Sequence, residues 1–277
     1  MKRRSSKFYK EKAAAIRKRI LIVSHRAKTP HIGSCLSLVE ILTVLYFGGI
    51  LKFPAKRGTG FEKRDRLILS KGHGSLALYS ALTEYGLLPL GFLDEYAKNG
   101  SLLPAHLTYK PSFGLEAATG SLGHGLPLAV GMALAAKHDK KSHRIFAILS
   151  DGECDEGSTW EAILAAAQWR LDNLAVIVDY NKIQSFGRVK DVMDLEPFAK
   201  KWESFRWSVK EADGHDTAAL EKALSAIPFR KGHPSVLIAH TIKGKGVSFM
   251  EDTIDWHYKN PTDELLEQAI KEVNASL

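Results

Sequence analysis

The sequence has 277 residues, of which 45% are hydrophobic and 25% charged, and it carries a formal net charge of +8. This length fits one large domain or two small ones, and no low-complexity linker or internal repeat divides the chain, so we predict a single domain over residues 1–277. No apolar run reaches the ~18 residues that a membrane span needs. The two cysteines, Cys35 and Cys154, give no disulfide framework, and we expect a protein of the reducing cytoplasm.

The excess positive charge is concentrated in residues 1–28, which we predict to form a basic N-terminal helix with a regular core from Ala13 to Ala27. A basic amphipathic helix is more often a solvated face or a partner contact than a reader of a nucleic-acid groove. We therefore predict no nucleic-acid partner. The charge would also suit anionic sugar phosphates or an acidic protein partner.

Strand and helix patterns alternate along the rest of the chain. The predicted strands are Arg66–Ser70, Arg144–Ser150, Leu174–Tyr180, Trp207–Glu211 and Ser235–Thr241. The predicted helices are Ser37–Phe47, Ser75–Tyr85, Leu122–His138, Ala162–Leu171, Thr217–Ala226 and Thr262–Ala275, with a capping box at Ser158–Glu161 and a cap at Asp216. Loops are predicted over Gly48–Gly60, Asn99–Ser121 and Thr241–Gly246. This alternation predicts an α/β fold of three layers, a parallel sheet with helices on both faces.

Polar side chains follow two of these strands at the point where each strand ends. Asp151 comes directly after the Arg144–Ser150 strand, and Asn181 directly after Leu174–Tyr180. In open parallel sheets, ligands bind beyond the carboxyl ends of the strands, and neighbouring strands lie about 4.8 Å apart. A carboxylate and a carboxamide there can share Mg²⁺, and such oxygen donors also suit Ca²⁺ or Mn²⁺. Because Mg²⁺ with few protein ligands usually binds substrate phosphate as well, we predict a phosphorylated ligand.

The same residues resemble the thiamin diphosphate (ThDP) motif, in which Gly-Asp-Gly is followed about thirty residues later by Asn. Here Asp151 and Asn181 are thirty residues apart, and Ser150 replaces the first glycine. The surrounding Glu156-Gly157 and Asp179–Ile183 segments resemble transketolase in particular. The resemblance extends from about residue 14 to about residue 260 and covers only the first of the three transketolase domains. It implies the ThDP-binding fold and the N-terminal, diphosphate-binding subunit of a split, two-component transketolase.

The resemblance implies roles for single residues. Asp151, Asn181 and the backbone carbonyl of Ile183 would bind the metal ion. The cofactor would be contacted by His73, Gly120, Leu122, Gly152, Asn181 and His257. Without the resemblance, the Thr119–Gly125 segment is a glycine-rich turn before a helix, which by itself is weak evidence for anion binding.

Four residues would take part in catalysis, namely His31, His106, His257 and Glu156. Histidines beside turns are more often structural when each is taken alone. By resemblance, His31 and His257 would handle protons on substrate oxygens, and His106 would hydrogen-bond the donor's hydroxymethyl ketone. Glu156 could simply favour a helix dipole, whereas the resemblance implies a proton-relay path between active sites. Cys154 has no evident paired base, so we predict packing.

We therefore predict a subunit of an enzyme that transfers a two-carbon ketol unit from a ketose or ketose phosphate to an aldose. Its partner would be a C-terminal subunit that carries the pyrimidine-binding domain, with two copies of each subunit. Three alternatives stay open. One is another ThDP enzyme, such as a ketoacid dehydrogenase α-subunit or a deoxyxylulose-phosphate synthase fragment. The second is a non-catalytic ThDP-binding scaffold, and the third is a metal-dependent phosphohydrolase.

Overall fold

A computed structural model describes residues 4–54 and 61–277. Five parallel strands form its sheet, in the order β1-β2-β3-β5-β4. Their bounds are β1 Arg66–Leu69, β2 Ile145–Ser150, β3 Leu174–Tyr180, β4 Ser208–Asp213 and β5 Ser235–His240. All five predicted strands are therefore present, and β3 has the predicted bounds.

Ten α-helices lie in the described ranges. They are α1 Ser6–Ala27, α2 Ile32–Leu36, α3 Val39–Phe47, α4 Ser75–Tyr85, α5 Gly125–His138, α6 Gly157–Gln168, α7 Val189–Val192, α8 Phe198–Ser204, α9 Thr217–Ser225 and α10 Asp263–Ala275. None of the helices in this part of the chain combines the length and apolar character needed to cross a membrane. Residues 1–3 of the predicted basic helix and residues 55–60 of the predicted Gly48–Gly60 loop lie outside the described residues.

Alternate side chains of each strand enter two separate cores, since successive strand residues point to opposite faces. On β1, Leu67 and Leu69 join a core with α1, α3, α4, α9 and α10. Ile68 joins the opposite core with α5, α6 and α8. Because both faces are covered, β2 and β3 are buried along their whole length. The predicted three-layer α/β fold is confirmed.

Two local predictions were wrong. The capping box at Ser158–Glu161 does not form, because α6 already begins at Gly157 and Glu156 is its N-cap residue. Ser158 Oγ instead donates to the carbonyl of Gly123 at 2.8 Å. The helix predicted from Leu122 begins only at Gly125. By contrast, the predicted cap Asp216 accepts hydrogen bonds from the amides of Ala218 and Ala219.

The basic helix α1 is packed into the domain. It starts at Ser6, where the Ser5 side chain accepts from the amide of Phe8, and it buries an apolar stripe that includes Ile16 and Ile20. Its basic side chains also find acidic partners within the chain, such as Lys12 and Arg19, which each lie 2.8 Å from Glu84. Part of the positive charge therefore serves internal ion pairs.

Candidate functional site

A cavity of about 320 Å³ opens at the carboxyl edge of the sheet, where four of the five strands end. Parallel strands bring their last residues to one edge, so loops that are far apart in the sequence meet there. The cavity is lined by Ser34, Lys71, His73, Leu122, Ser150, Asp151, Gly152, Asp155, Glu156, Asn181, Ile183, Gln184, Ser185, Phe186, Val192, Lys243 and His257. Eight of the predicted site residues are in this set.

The three predicted metal-binding residues line this cavity together. Strands β2 and β3 are parallel neighbours, as predicted, and Ser150 lies opposite Asp179. Asp151 is 1% exposed, and its carboxylate accepts from the amides of Gly152, at 2.8 Å, and Lys182. Asn181 is also buried, and Ile183 turns its carbonyl toward the Lys243 ammonium group at 3.0 Å. One carboxylate, one amide and one carbonyl therefore face the same space.

The electrostatics of Asp151 fit a bound cation. Burial, and next the charge of Asp179, raise the pKa of Asp151 to about 7. A divalent ion beside the carboxylate would favour its ionised form. No three His, Cys, Asp or Glu side chains are grouped as metal ligands in residues 4–54 and 61–277. A cation at Asp151 would thus depend on amide and carbonyl oxygens as well, which is a hard-donor set suited to Mg²⁺.

Two buried lysines, which the sequence analysis missed, bring positive charge to the cavity. Lys71 is 0% exposed and Lys243 is 1% exposed. Lys71 forms an ion pair with Asp179, whereas Lys243 Nζ lies against the Ile183 carbonyl and, at 2.8 Å, His257 Nδ1. Burial, and next the charge of Lys71, lower the pKa of Lys243 to about 8. An anion such as a diphosphate in the cavity would compensate this charge, so the residues fit the cofactor's phosphate end.

The four predicted histidines form one cluster. The His31 ring centroid lies 5.3 Å from His73, 5.8 Å from His106 and 5.0 Å from His257. The His31 amide donates to the His257 carbonyl at 2.8 Å, so the backbone also joins the two segments. His73 and His257 line the cavity, while His31 and His106 extend the cluster outward to an exposed position at His106. Loops from four parts of the chain thus supply one imidazole surface.

Three of these imidazoles are held in the neutral form. Burial, and next the charge of His106, lower the pKa of His31 to about 4. Burial and the charge of Lys243 lower the pKa of His257 to about 3. Burial and the charge of Lys71 hold the pKa of His73 well below its usual range. A neutral imidazole has one N–H donor and one nitrogen lone pair. In His257 the Nδ1 lone pair accepts from Lys243 Nζ, so the Nε2–H of this ring is left to donate.

The predicted glycine-rich segment lies beside the cavity. Leu122 lines it, and Gly120 lies against His106 and lines a neighbouring groove with Ser121 and Leu128. A Cβ on Gly120 would approach the His106 ring at 3.0 Å. Small residues therefore let this backbone pack closely against the imidazole cluster.

A buried carboxyl group, Glu153, holds that segment to the Asp151 loop. Its Oε1 accepts from Ser70 Oγ and, at 2.9 Å, from the amide of Gly123. Gly123 itself has φ +78°, and a Cβ there would lie 2.4 Å from Ser158 Oγ. Gly152 lines the cavity beside Gln184. No role of Glu153 was predicted from the sequence.

Glu156 lines the cavity rim as the N-cap residue of α6, but its side chain makes no capping hydrogen bond. Its side chain is exposed. Cys154 is 1% exposed, and burial raises the pKa of its thiol well above the usual range. These features agree with packing as the role of Cys154.

The missed lysines had a positional signal in the sequence. Lys71 follows β1, and Lys243 follows β5, so both come just after the carboxyl ends of predicted strands. Like Asp151 and Asn181, both lysines therefore lie beyond the carboxyl ends of parallel strands, where ligands bind. Their burial, however, could not be predicted from the local sequence, because it depends on the loops that follow four different strands and meet at the cavity.

The chain is similar to known proteins over nearly its whole length. Residues 9–274 match the family described as "Transketolase, thiamine diphosphate binding domain". One of the apulose-4-phosphate transketolase subunits, from Actinobacillus succinogenes, is 43% identical over 266 residues, which are 95% of each chain. The 6-deoxy-6-sulfo-D-fructose transketolase subunit SqwG of a Clostridium species is 41% identical over 261 residues, 94% of each chain.

A solved structure shows the same fold within a longer chain. The transketolase of Campylobacter jejuni superposes with a TM-score of 0.89 at 31% identity. The match covers 98% of this chain but only 43% of that one. More than half of that enzyme therefore has no counterpart in this sequence.

Proposed function

This chain belongs to the transketolase family, and from that premise we propose that it is the diphosphate-binding subunit of a two-component transketolase. The reaction is the transfer of a two-carbon ketol unit from a ketose or ketose phosphate to an aldose. The observation that carries the proposal is the single cavity in which Asp151, Asn181 and Ile183 meet Lys71 and Lys243 beside the histidine cluster.

The residues that line the cavity suggest how the cofactor is held. Lys243, His73 and Gly152 line the cavity, and we propose that they contact the diphosphate. Asp151, Asn181 and the Ile183 carbonyl would bind a divalent ion, for which we propose Mg²⁺. Gly120 and Leu122 would pack against the cofactor from the neighbouring loop. When bound, thiamin diphosphate supplies the carbanion and the electron sink for carbon–carbon bond cleavage.

The histidines would handle protons on the substrate. Because the pKa values of His31 and His257 are lowered, both imidazoles are neutral at neutral pH and would bind substrate oxygens by hydrogen bonds. The Nδ1 atom of His257 faces the Lys243 ammonium group, so its Nε2–H is left to donate to a substrate oxygen. His106, at the exposed end of the cluster, would hydrogen-bond the donor's hydroxymethyl ketone. Glu156 at the rim would join a proton path to a second active site across the assembly.

A second protein chain is part of the proposal. Three relatives that match over more than nine-tenths of their length are themselves named as transketolase subunits, which favours a partner chain. That partner would supply the pyrimidine-binding domain, and we propose two copies of each chain. Both cysteines are free and buried, which favours a reducing cytoplasmic location.

Native mass spectrometry of the complex purified from its own host tests this proposal. We expect this chain, a second protein and masses that match thiamin diphosphate and Mg²⁺. The mixture of both proteins, but neither protein by itself, should transfer a ketol unit from a ketose phosphate to an aldose. Either of two outcomes would support a scaffold role instead. One is a homodimer of this chain that carries no cofactor. The other is a reconstituted complex that binds thiamin diphosphate but transfers no ketol unit.

A further inference from the structure

Three buried polar side chains from distant parts of the chain form a network beneath the Thr241–Gly246 loop. Arg17 lies on α1, Glu40 on α3, and His215 in the turn between β4 and α9. Arg17 Nη2 lies 2.6 Å from Glu40 Oε1, and His215 Nδ1 lies 2.9 Å from Glu40 Oε2. The exposed fractions of the three side chains are 10%, 9% and 12%. We call this set the Arg17–Glu40–His215 network.

The network holds the loop on both sides of Lys243. Arg17 Nε donates to the Lys245 carbonyl at 3.0 Å, and the amide of Ile242 donates to His215 Nε2 at 2.8 Å. Because a backbone N–H can only donate, His215 Nε2 is the acceptor and Nδ1 carries the proton that is donated to Glu40. Both carboxylate oxygens of Glu40 are therefore used, one for each arm of the network.

The loop and the network are closely fitted. A Cβ on Gly246, which has φ +91°, would lie 2.5 Å from Arg17 Nε. The Gly244 amide also donates to the Gly33 carbonyl at 3.0 Å, so the loop is tied to α2 as well. None of Arg17, Glu40 and His215 lines the cofactor cavity. They reach the cavity only through the Thr241–Gly246 loop, whose Lys243 lines it.

Lys243 is the residue that this loop delivers. Its ammonium group is buried and lies 3.0 Å from the Ile183 carbonyl and 2.8 Å from His257 Nδ1. A lysine side chain has a flexible four-carbon stem, so the position of its charge depends on how the backbone at its base is fixed. Residues 242 and 245, which flank Lys243, are the two that the network bonds directly.

We propose that Arg17, Glu40 and His215 are positioning residues that set the Lys243 ammonium group at the diphosphate end of the cofactor cavity. This inference rests on the proposed function, since it concerns the same site. A buried ion pair is often no more stabilising than an apolar replacement. Here the buried pair also positions the loop. The Glu40 carboxylate fixes the Arg17 guanidinium and the His215 imidazole, and each of these two groups holds the loop at one point.

The first test compares Glu40→Gln with Glu116→Gln. Glutamine has a single acceptor oxygen, so it cannot serve both Arg17 and the Nδ1–H of His215. Glu116 is a matched control because its Oε1 also lies 2.6 Å from an arginine, Arg64, with side chains 4% and 5% exposed. Neither member of that pair lines the site cavity. Both variants should lose stability.

Only the Glu40 variant should change the loop. Hydrogen–deuterium exchange on the full chain, without cofactor, should show lost protection in residues 241–246 for Glu40→Gln and unchanged protection there for Glu116→Gln. Arg17→Lys is a second variant, because it replaces the separate Nε and Nη2 donors, which bind the Lys245 carbonyl and Glu40, by a single nitrogen at one position. Unchanged exchange of residues 241–246 in both network variants would overturn the proposal.

The second test asks whether the effect passes through Lys243. Thiamin diphosphate is titrated with Mg²⁺ onto the two-component complex that contains this chain as wild type, Glu40→Gln, Lys243→Met or the double variant. We expect Glu40→Gln to raise the dissociation constant about tenfold, and to add nothing once Lys243 is replaced. The same weakening in both backgrounds would overturn the proposal. A wild-type complex that binds no cofactor would count against the proposed function, while the exchange experiment would still decide the role of the network.

Discussion

The ammonium group of Lys71 and the carboxylate of Asp179 form an ion pair in which both side chains are 0% exposed. Lys71 follows β1 and Asp179 lies near the end of β3, so the pair crosses over β2 at the carboxyl edge of the sheet. Asp179 also accepts from Ser37 Oγ at 2.6 Å, from Thr241 Oγ1 and, at 3.4 Å, from the Asn181 amide. This carboxylate therefore joins four segments that surround the site.

The Lys71–Asp179 pair should behave as a single unit in unfolding experiments. Lys71→Met leaves a buried carboxylate without its cation, and we expect a loss of about 3–5 kcal/mol in the free energy of unfolding. Asp179→Asn should cost a similar amount. The double variant should lose clearly less than the sum, as urea denaturation would measure. Additive losses would mean that the two charges do not stabilise each other.

Asp151→Ala should abolish Mg²⁺-dependent binding of thiamin diphosphate, because it removes the one carboxylate among the three proposed metal ligands. Isothermal titration with and without Mg²⁺ measures this. Asp172→Ala is a suitable control, since Asp172 pairs with Lys137 in the turn before β3, away from the cavity. Unchanged cofactor affinity in Asp151→Ala would refute the metal assignment.

His106→Ala should weaken the use of the donor sugar and leave cofactor binding intact. His106 is the exposed member of the histidine cluster and lies outside the cavity that the proposed metal ligands line. Loss of one hydrogen bond to the donor should raise its KM about tenfold in the two-component enzyme. The control is the dissociation constant of thiamin diphosphate. An equal loss of donor use and cofactor affinity would contradict the role that we assign to His106.

Two glycine substitutions should have opposite effects on stability. Gly123→Ala places a Cβ 2.4 Å from Ser158 Oγ at a residue with φ +78°, so we expect a loss of about 1–3 kcal/mol. Gly131→Ala lies within α5 with no atom near the added methyl group, so we expect a gain of about 0.5–1 kcal/mol. Thermal and urea unfolding measure both. If both substitutions changed the free energy of unfolding by the same amount, close packing would not be the reason that position 123 requires glycine.

Glu40 should contribute to acid sensitivity. Burial favours its protonated form, but the Arg17 charge and the His215 hydrogen bond outweigh this and lower the pKa of Glu40 below its ordinary 4.5. A lowered folded-state pKa means that the stabilisation is present above pH 4.5 and is lost as pH falls through the folded-state value. Urea midpoints measured from pH 6 to pH 3 should fall less steeply for Glu40→Gln than for wild type. Parallel curves would contradict this.

The strands, most helices and the motif residues could be predicted from the sequence because they depend on local patterns. Strand β3 begins with five consecutive apolar residues, Leu174–Val178, and the helix Ser75–Tyr85 was predicted with its observed bounds. Asp151 and Asn181 were located because parallel strands end at one edge, a rule that needs only the order of elements. The predicted start of α6 was wrong. Ser158 does not cap the helix, because its Oγ donates to the carbonyl of Gly123, thirty-five residues away in the sequence.

The electrostatic setting of the site was decided only by the tertiary structure. In the sequence, Lys71 and Lys243 are ordinary lysines, and nothing near them shows that both are buried in one cavity. Likewise Arg17, Glu40 and His215 carry no joint signal, since their bonds span 23 and 175 positions of the chain. Periodicity reports which face of an element is buried, whereas the pairing of buried charges depends on how distant elements are brought together.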